Sequence, residues 1–330
     1  MMRAGLALMA VIAAVGGLSM LVLPQEQDGD NQGDGKDRDR VEAAASTPAA
    51  PPAGTPLPGD TARAFACRVD AAGIALPSAH ESSGLALSGG GDALWTHNDS
   101  GRPVLYLVGL DGQERARVAV AGARVQDWED VAAGPCPGEG RCLFVGDIGD
   151  NRAARPRITI YRVPEPAPGD AQSRRAEALT AAYPDGAQDA EALFVLPDGG
   201  VFIVTKGETG AIALYRLPRT ARPGVVSRME RVTQLRPGPV DRRDRITGAA
   251  ASPDGQWLAM RTLRQVDFYR TGDLASGTLG TPLTFDLRSL NEPQGEAVEF
   301  GRDGVVHLSS EGGNRETPAT LSRLTCTLPT

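Results

Sequence analysis

The sequence predicts an all-β chain folded as a β-propeller of five four-stranded blades, with six blades as the alternative count. Three observations predict it. A short pattern of polar residues, then a small or acidic one, then an apolar run occurs five times: HESSGLAL (80–87), QDWEDVAA (126–133), QDAEALFV (188–195), RITGAAAS (245–252) and QGEAVEF (294–300). The shared column of Ser83, Glu129, Glu191, Thr247 and Glu296 advances by about 46 to 62 residues at each step, the length of a four-stranded blade. Each copy leads through a turn such as LPDGG, SPDGQ or GRDG into further apolar runs with no long helical pattern between them, and Asp-Gly between two apolar runs is a hairpin signal.

Taken in order, residues 1–24 place Arg3 ahead of about twenty uncharged, mostly apolar residues, enough to cross a bilayer as a helix. We read a signal anchor, with a cleaved signal peptide as the alternative: the stretch is longer than most signal h-regions, has no clear A-x-A site and is followed by no lipid-attachment cysteine. Residues 25–63, first Asp/Gly-rich and then Ala/Pro-rich, have almost nothing to bury and form a disordered linker. The propeller takes 64–330. Its second runs are ALWTHND, CLFVGD, VFIVTK, WLAMRT and VVHLSSE, and its third runs PVLYLVGL, RITIYRVP, AIALYRLP, QVDFYR and ATLSRLTC.

The fifth unit reaches Thr330 after three strands, so the N-terminal run AFACRVDAAGIAL is expected to supply its outer strand. That places Cys67 beside Cys326, while Cys136 and Cys142 flank PGEGR, a loop a disulfide can close; four cysteines suit an exported, oxidised chain. The long connections 164–187 and 218–244 keep six blades open. A net charge of −7 and a pI near 5.2 argue against a nucleic-acid partner. The expected state is an extracytoplasmic monomer that meets a membrane through its N-terminal segment only, or is secreted if the signal is cleaved.

In a propeller the repeat column forms a ring around one mouth of the central channel. Glu129, Glu191 and Glu296, with Asp127 and Asp189 two positions before the first two, should therefore converge, and the second strands add Asp147, Lys206 and Arg261 nearby. Converging carboxylates repel unless a cation joins them or they are paired. Two answers stay open. Oxygen donors with only three histidines in the chain suit calcium better than zinc, and DWED (127–130) with GDIGDN (146–151) offers Asp127, Asp130, Asp147 and Asp150. Pairing with Lys206, Arg261 and backbone amides is the structural alternative. His97 is expected to serve as a hydrogen-bonding residue, Trp95, Trp128 and Trp257 to pack between blades, and no G-x-S-x-G nucleophile motif is present.

The blade starts ESSGLAL, DWEDVA, DAEALFV and GEAVEF, together with LFVGDIGDN, resemble extracellular bacterial propellers of the phytase-like and "esterase-like activity of phytase" type, and more distantly gluconolactonase and strictosidine-synthase-like propellers. The resemblance covers about 64–330. It implies hydrolysis of a phosphoester, ester or lactone at a calcium centre in the channel mouth, with Glu81, Asp130, Asp147, Glu191 and Glu296 as metal or channel residues. In that reading Glu129 or Glu191 is general base and Lys206 or Arg261 stabilises developing negative charge. The competing expectation is a non-catalytic module that binds an extracytoplasmic protein or glycan on the same face.

Overall fold

Apolar alternation and Asp-Gly turns build the blades. After Val195 the Gly200 amide donates to Asp198 Oδ1 at 2.8 Å, and Gly199 sits at φ +81°, a conformation open to glycine without strain. Asp254 plays the same part toward the Gln256 amide at 3.0 Å, with Gly255 at φ +69°. The structure, a computed structural model, describes residues 64–313 and 317–329. The expected membrane segment and linker lie outside the described residues. Among those described, no helix is long and apolar enough to cross a membrane.

The described chain is all-β, with only three short 3-10 turns besides its strands. Strand β1 (Ala66–Ala75) precedes the first sheet, which holds β2 (Ser82–Leu87), β3 (Ala93–Asn98), β4 (Val104–Gly109) and β5 (Glu114–Ala119). The second holds β6 (Trp128–Pro135), β7 (Arg141–Asp147), β8 (Ile158–Pro164) and β9 (Glu177–Ala182). The third is β10 (Ala190–Val195), β11 (Val201–Thr205) and β12 (Ile212–Arg216), and then, past the two-residue β13 (Ser227–Arg228), β14 (Glu230–Arg236). The fourth is β15 (Ile246–Ala251), β16 (Trp257–Thr262), β17 (Gln265–Arg270) and β18 (Leu283–Asp286), and the fifth β19 (Gln294–Phe300), β20 (Val305–Glu311) and β21 (Thr320–Thr327).

Strand β1 pairs antiparallel with β21 as the outer strand of that fifth sheet. Cys67 faces Cys326 in the register, and the two are joined as a disulfide, as are Cys136 and Cys142. The blade count is five. The connections that left six open supply outer strands instead: 164–187 contains β9, and 218–244 contains β14 and β13, which adds to the second sheet parallel to β9.

The inner strands β2, β6, β10, β15 and β19 adjoin one another in a ring, and apolar clusters fill the seams between blades. Trp95 and Trp128 lie in the seam between the first two blades and Trp257 in that between the last two, all buried.

Five blades leave a tight channel. A Cβ on Gly84 would come 2.4 Å from the Val131 amide nitrogen, and one on Gly248 would come 2.7 Å from the Glu296 carbonyl oxygen. Inner strands meet there backbone to backbone, so a side chain fits only where its neighbours leave room.

Candidate active site at the channel mouth

The repeat column coincides with a defect in every inner strand. Pairing with the second strand shifts register between Ser82 and Leu85, Trp128 and Asp130, Ala190 and Ala192, Ile246 and Gly248, and Gly295 and Val298. A bulge leaves one residue without a partner and re-aims its side chain. Ser83, Glu129, Glu191, Thr247 and Glu296 all fall within these shifts. The last four line a cavity of about 270 Å³, together with Asp99, Asp127, Lys206, Arg242, Arg245 and Glu311.

At its centre Lys206 Nζ forms an ion pair with Glu191, lies 3.5 Å from Glu208 and 3.8 Å from Asp189, and donates to Asn151 Oδ1 at 3.3 Å. Burial alone would lower the lysine's pKa, but the surrounding charges of Glu191, Asp189 and Glu129 outweigh it and raise it. The ammonium is the cation around which these acids gather. It is the single lysine of the folded region, since the other, Lys36, lies in the linker sequence.

The carboxyl groups hold their protons more tightly than free ones. Burial, then the charges of Glu191 and Asp127, lift Glu129 well above the usual range. Glu191 is raised by burial, opposed by the charge of Lys206 and by the adjacent Glu129 carboxyl. Burial and the charges of Glu191 and Glu311 push Glu296 well up. Across the mouth, burial with the nearby Glu81 carboxyl raises Asp99 to about 6, and burial with Asp99 and Glu191 raises Glu311 to about 7. Asp127 is raised by burial and by Asp189. Gly149 makes room for this group, because a Cβ there would lie 2.1 Å from Glu129 Oε1.

Not every residue read from the sequence reaches the cavity. Asp130, the residue after its bulge, points into the waist of the channel, where its carboxylate accepts from the amides of Val131 at 2.8 Å, Leu193 at 2.9 Å and Ala249 at 3.5 Å. It ties three inner strands together and fills the space that glycine or alanine leaves in the other blades. Asp147 accepts from the amides of Gln126 and Asp127 and pairs with Arg155 at 2.7 Å, and Asp150 accepts from the Arg155 amide at 2.6 Å. Both support the floor from behind. Glu81 accepts from Ser100 Oγ at 2.8 Å on the rim.

Arg261 is fully buried between the fourth and fifth blades. It donates to the carbonyls of Ala297 and Ser309, each at 2.7 Å, and pairs with Glu292. It is a strut between blades and does not line the mouth, so the charge-stabilising part expected of Arg261 has no geometric basis.

The oxygen donors have the chemistry for calcium, yet Glu81, Asp127, Asp130, Asp147, Asp150 and Glu296 do not converge. Among the described residues no group of three or more His, Cys, Asp or Glu is arranged to hold a metal ion. His97 is buried, T-stacked on Trp128 at 5.5 Å and bonded through Nδ1 to the Asn98 carbonyl. Burial pushes it down to about 4, so it stays neutral. Arg242, in a polar connection outside the repeat, and Arg245, the first residue of the fourth copy, are cavity residues to which the sequence pattern assigned no role.

With this geometry in place, comparison with known proteins adds the fold alone. No protein-family model matches the chain, and no curated protein sequence matches it. Among solved structures, the PQQ-bound aldose sugar dehydrogenase of Streptomyces coelicolor aligns over 80% of this chain and 99% of its own, at 10% identity and a TM-score of 0.51. A gluconolactonase of Xanthomonas campestris aligns over 78% of each chain at 19% identity and a TM-score of 0.44. The soluble aldose sugar dehydrogenase of Escherichia coli, in its apo form, aligns over 81% of this chain and all of its own at 10% identity and 0.44.

Proposed function

We propose that the acidic mouth is the active site of an extracytoplasmic hydrolase acting on a small ester or lactone. The observation that carries the proposal is the pair of buried carboxyls Glu129 and Glu191 beside Lys206, inside a cavity formed by several blades. Adjacent carboxyls whose environments separate their protonation states are the arrangement general acid–base catalysis needs. Two disulfides with no free cysteine suit an oxidising compartment.

In the proposed reaction Glu191, whose negative form Lys206 stabilises, takes a proton from water as the water oxygen attacks the carbonyl carbon. Glu129 gives its proton to the leaving ester or ring oxygen as that C–O bond breaks. The proton then passes from Glu191 to the adjacent Glu129, restoring the pair. Lys206 lies within the same group to offset the negative charge that develops on the carbonyl oxygen.

Hydrolysis of a panel of five- and six-membered lactones and p-nitrophenyl esters by the full-length protein tests this. Glu129→Gln and Glu191→Gln should each lower kcat/KM by a factor of about 10² or more. No turnover across the panel, or unchanged turnover in both variants, rejects the hydrolase reading. The second reading, a module for an extracytoplasmic protein or glycan, draws on the ion pairing of Lys206 and the burial of Arg261, which make the face rigid and preorganised.

A further inference from the structure

The opposite mouth of the channel, formed by the C-terminal ends of the inner strands, holds a second cavity of about 310 Å³. Asp130 lies between the two, bonded across the waist to β10 and β15. The second cavity has a different character. Its walls include Leu87, Ala133, Val195, Ala251 and Phe300, and its charged residues are Arg141 and Glu299.

Arg141 is already committed. It donates to the Leu87 carbonyl and pairs with Glu165 at 3.1 Å. Glu165 is itself fixed by the Trp95 indole N–H at 2.8 Å and the Gly89 amide at 2.9 Å. Glu299 is 9% exposed and forms no ion pair of its own among the described residues; its cross-strand partner His307 is buried, which pushes that imidazole down to about 4 and leaves it neutral. Burial raises it to about 8 against the opposing influence of Arg141 and of the Leu87 and Phe300 amides. A cavity with apolar walls and a few polar groups, one of them a perturbed acid, is a usual form of small-molecule site.

We propose that this second cavity binds a small hydrophobic ammonium compound, its apolar body against the alanine, valine and phenylalanine walls and its ammonium on Glu299. The charge balance favours a cation. Glu165 offsets Arg141, which leaves Glu299 as the acid without a counter-ion. Near neutral pH the carboxyl carries its proton, so an incoming ammonium displaces that proton to solvent and keeps its own. Binding therefore releases protons, and it weakens as pH falls.

Calorimetry on the full-length protein at pH 7, with cyclohexylmethylammonium chloride and the neutral cyclohexylmethanol in two buffers of different ionisation enthalpy, tests the proposal. The ammonium should bind at least tenfold tighter than the alcohol, with release of up to about one proton read from the buffer dependence. Glu299→Gln should weaken the ammonium at least tenfold and leave the alcohol unchanged, whereas Ala251→Leu, which fills the cavity, should weaken both. Glu129→Gln should alter neither. Equal binding of the two probes, no binding at millimolar concentration, wild-type affinity in Glu299→Gln, or loss of the signal in Glu129→Gln each overturns the proposal. Should Glu299→Gln fail to fold, the wild-type comparison of ammonium with alcohol and its buffer dependence still decide the matter.

Discussion

Replacing Lys206 by methionine keeps most of the side-chain volume and removes the one ammonium that the mouth carboxylates surround. Lys206 is 17% exposed and its nearest partner Glu191 8%, so the pair is buried enough for loss of one member to cost about 3 to 5 kcal/mol. Without the ammonium the Glu191 carboxyl rises further, because the charge of Lys206 is what opposes its burial. The sign with pH follows from linkage. A carboxyl whose folded pKa lies above its unfolded value contributes stability that is fully present below about pH 4.5 and is lost as pH rises through the folded value. In Lys206→Met that loss deepens at pH 8, while at pH 4.5 Glu191 is protonated and the penalty shrinks to below about 2 kcal/mol. Urea unfolding followed by the fluorescence of buried Trp95, Trp128 and Trp257 at both pH values measures it. A loss of equal size at pH 4.5 and 8, or one under about 1 kcal/mol at pH 8, would refute the view that Lys206 is the compensating cation of the acidic mouth.

Two further substitutions test the frame around the site. Asp130→Ala strands the amides of Val131, Leu193 and Ala249 at the waist, and with unpaired buried donors costing about 1 to 3 kcal/mol each, a loss of at least 3 kcal/mol is expected in the same urea assay; a loss below about 1 kcal/mol would show that the waist amides find other partners. The disulfides should differ by loop length: Cys67 and Cys326 are 259 residues apart and Cys136 and Cys142 only 6, so replacing the first pair by alanine should cost about 5.5 kcal/mol and the second about 2 in the chain-entropy account. Equal costs would count against that account here.

The repeat was legible because blade periodicity is written in local pattern: apolar alternation, Asp-Gly turns and a shared column. That pattern also brought Glu129, Glu191, Glu296 and Lys206 to one mouth on paper, since residues in one column of a ring must converge. What it could not show was the bulge that frees each column residue, because a register shift is a property of two strands together. Nor could it show that Asp130, adjacent in sequence to Glu129, lies one pleat deeper with its oxygens on backbone amides. Arg261 reads as a mouth residue by position on its strand. Only the packing of the fourth blade on the fifth, with Gly295 leaving no Cβ where the guanidinium lies, makes it a buried strut.

The tight waist shows how the chain's own groups accommodate acidic residues beside a core. A five-bladed ring brings inner strands within backbone contact at Gly84 and Gly248, so the channel divides into an upper and a lower chamber with Asp130 between them. Each chamber meets the cost of its buried acids differently. Above, Lys206 offsets part of the repulsion among Glu129, Glu191 and Glu296, whose carboxyls are all raised by burial. Below, Glu299 has apolar walls and no ion pair of its own among the described residues, and burial raises its carboxyl to about 8 against the opposing charge of Arg141. The chambers should therefore respond independently: substitutions at Glu129 act on turnover above the waist, and substitutions at Glu299 act on ammonium binding below it.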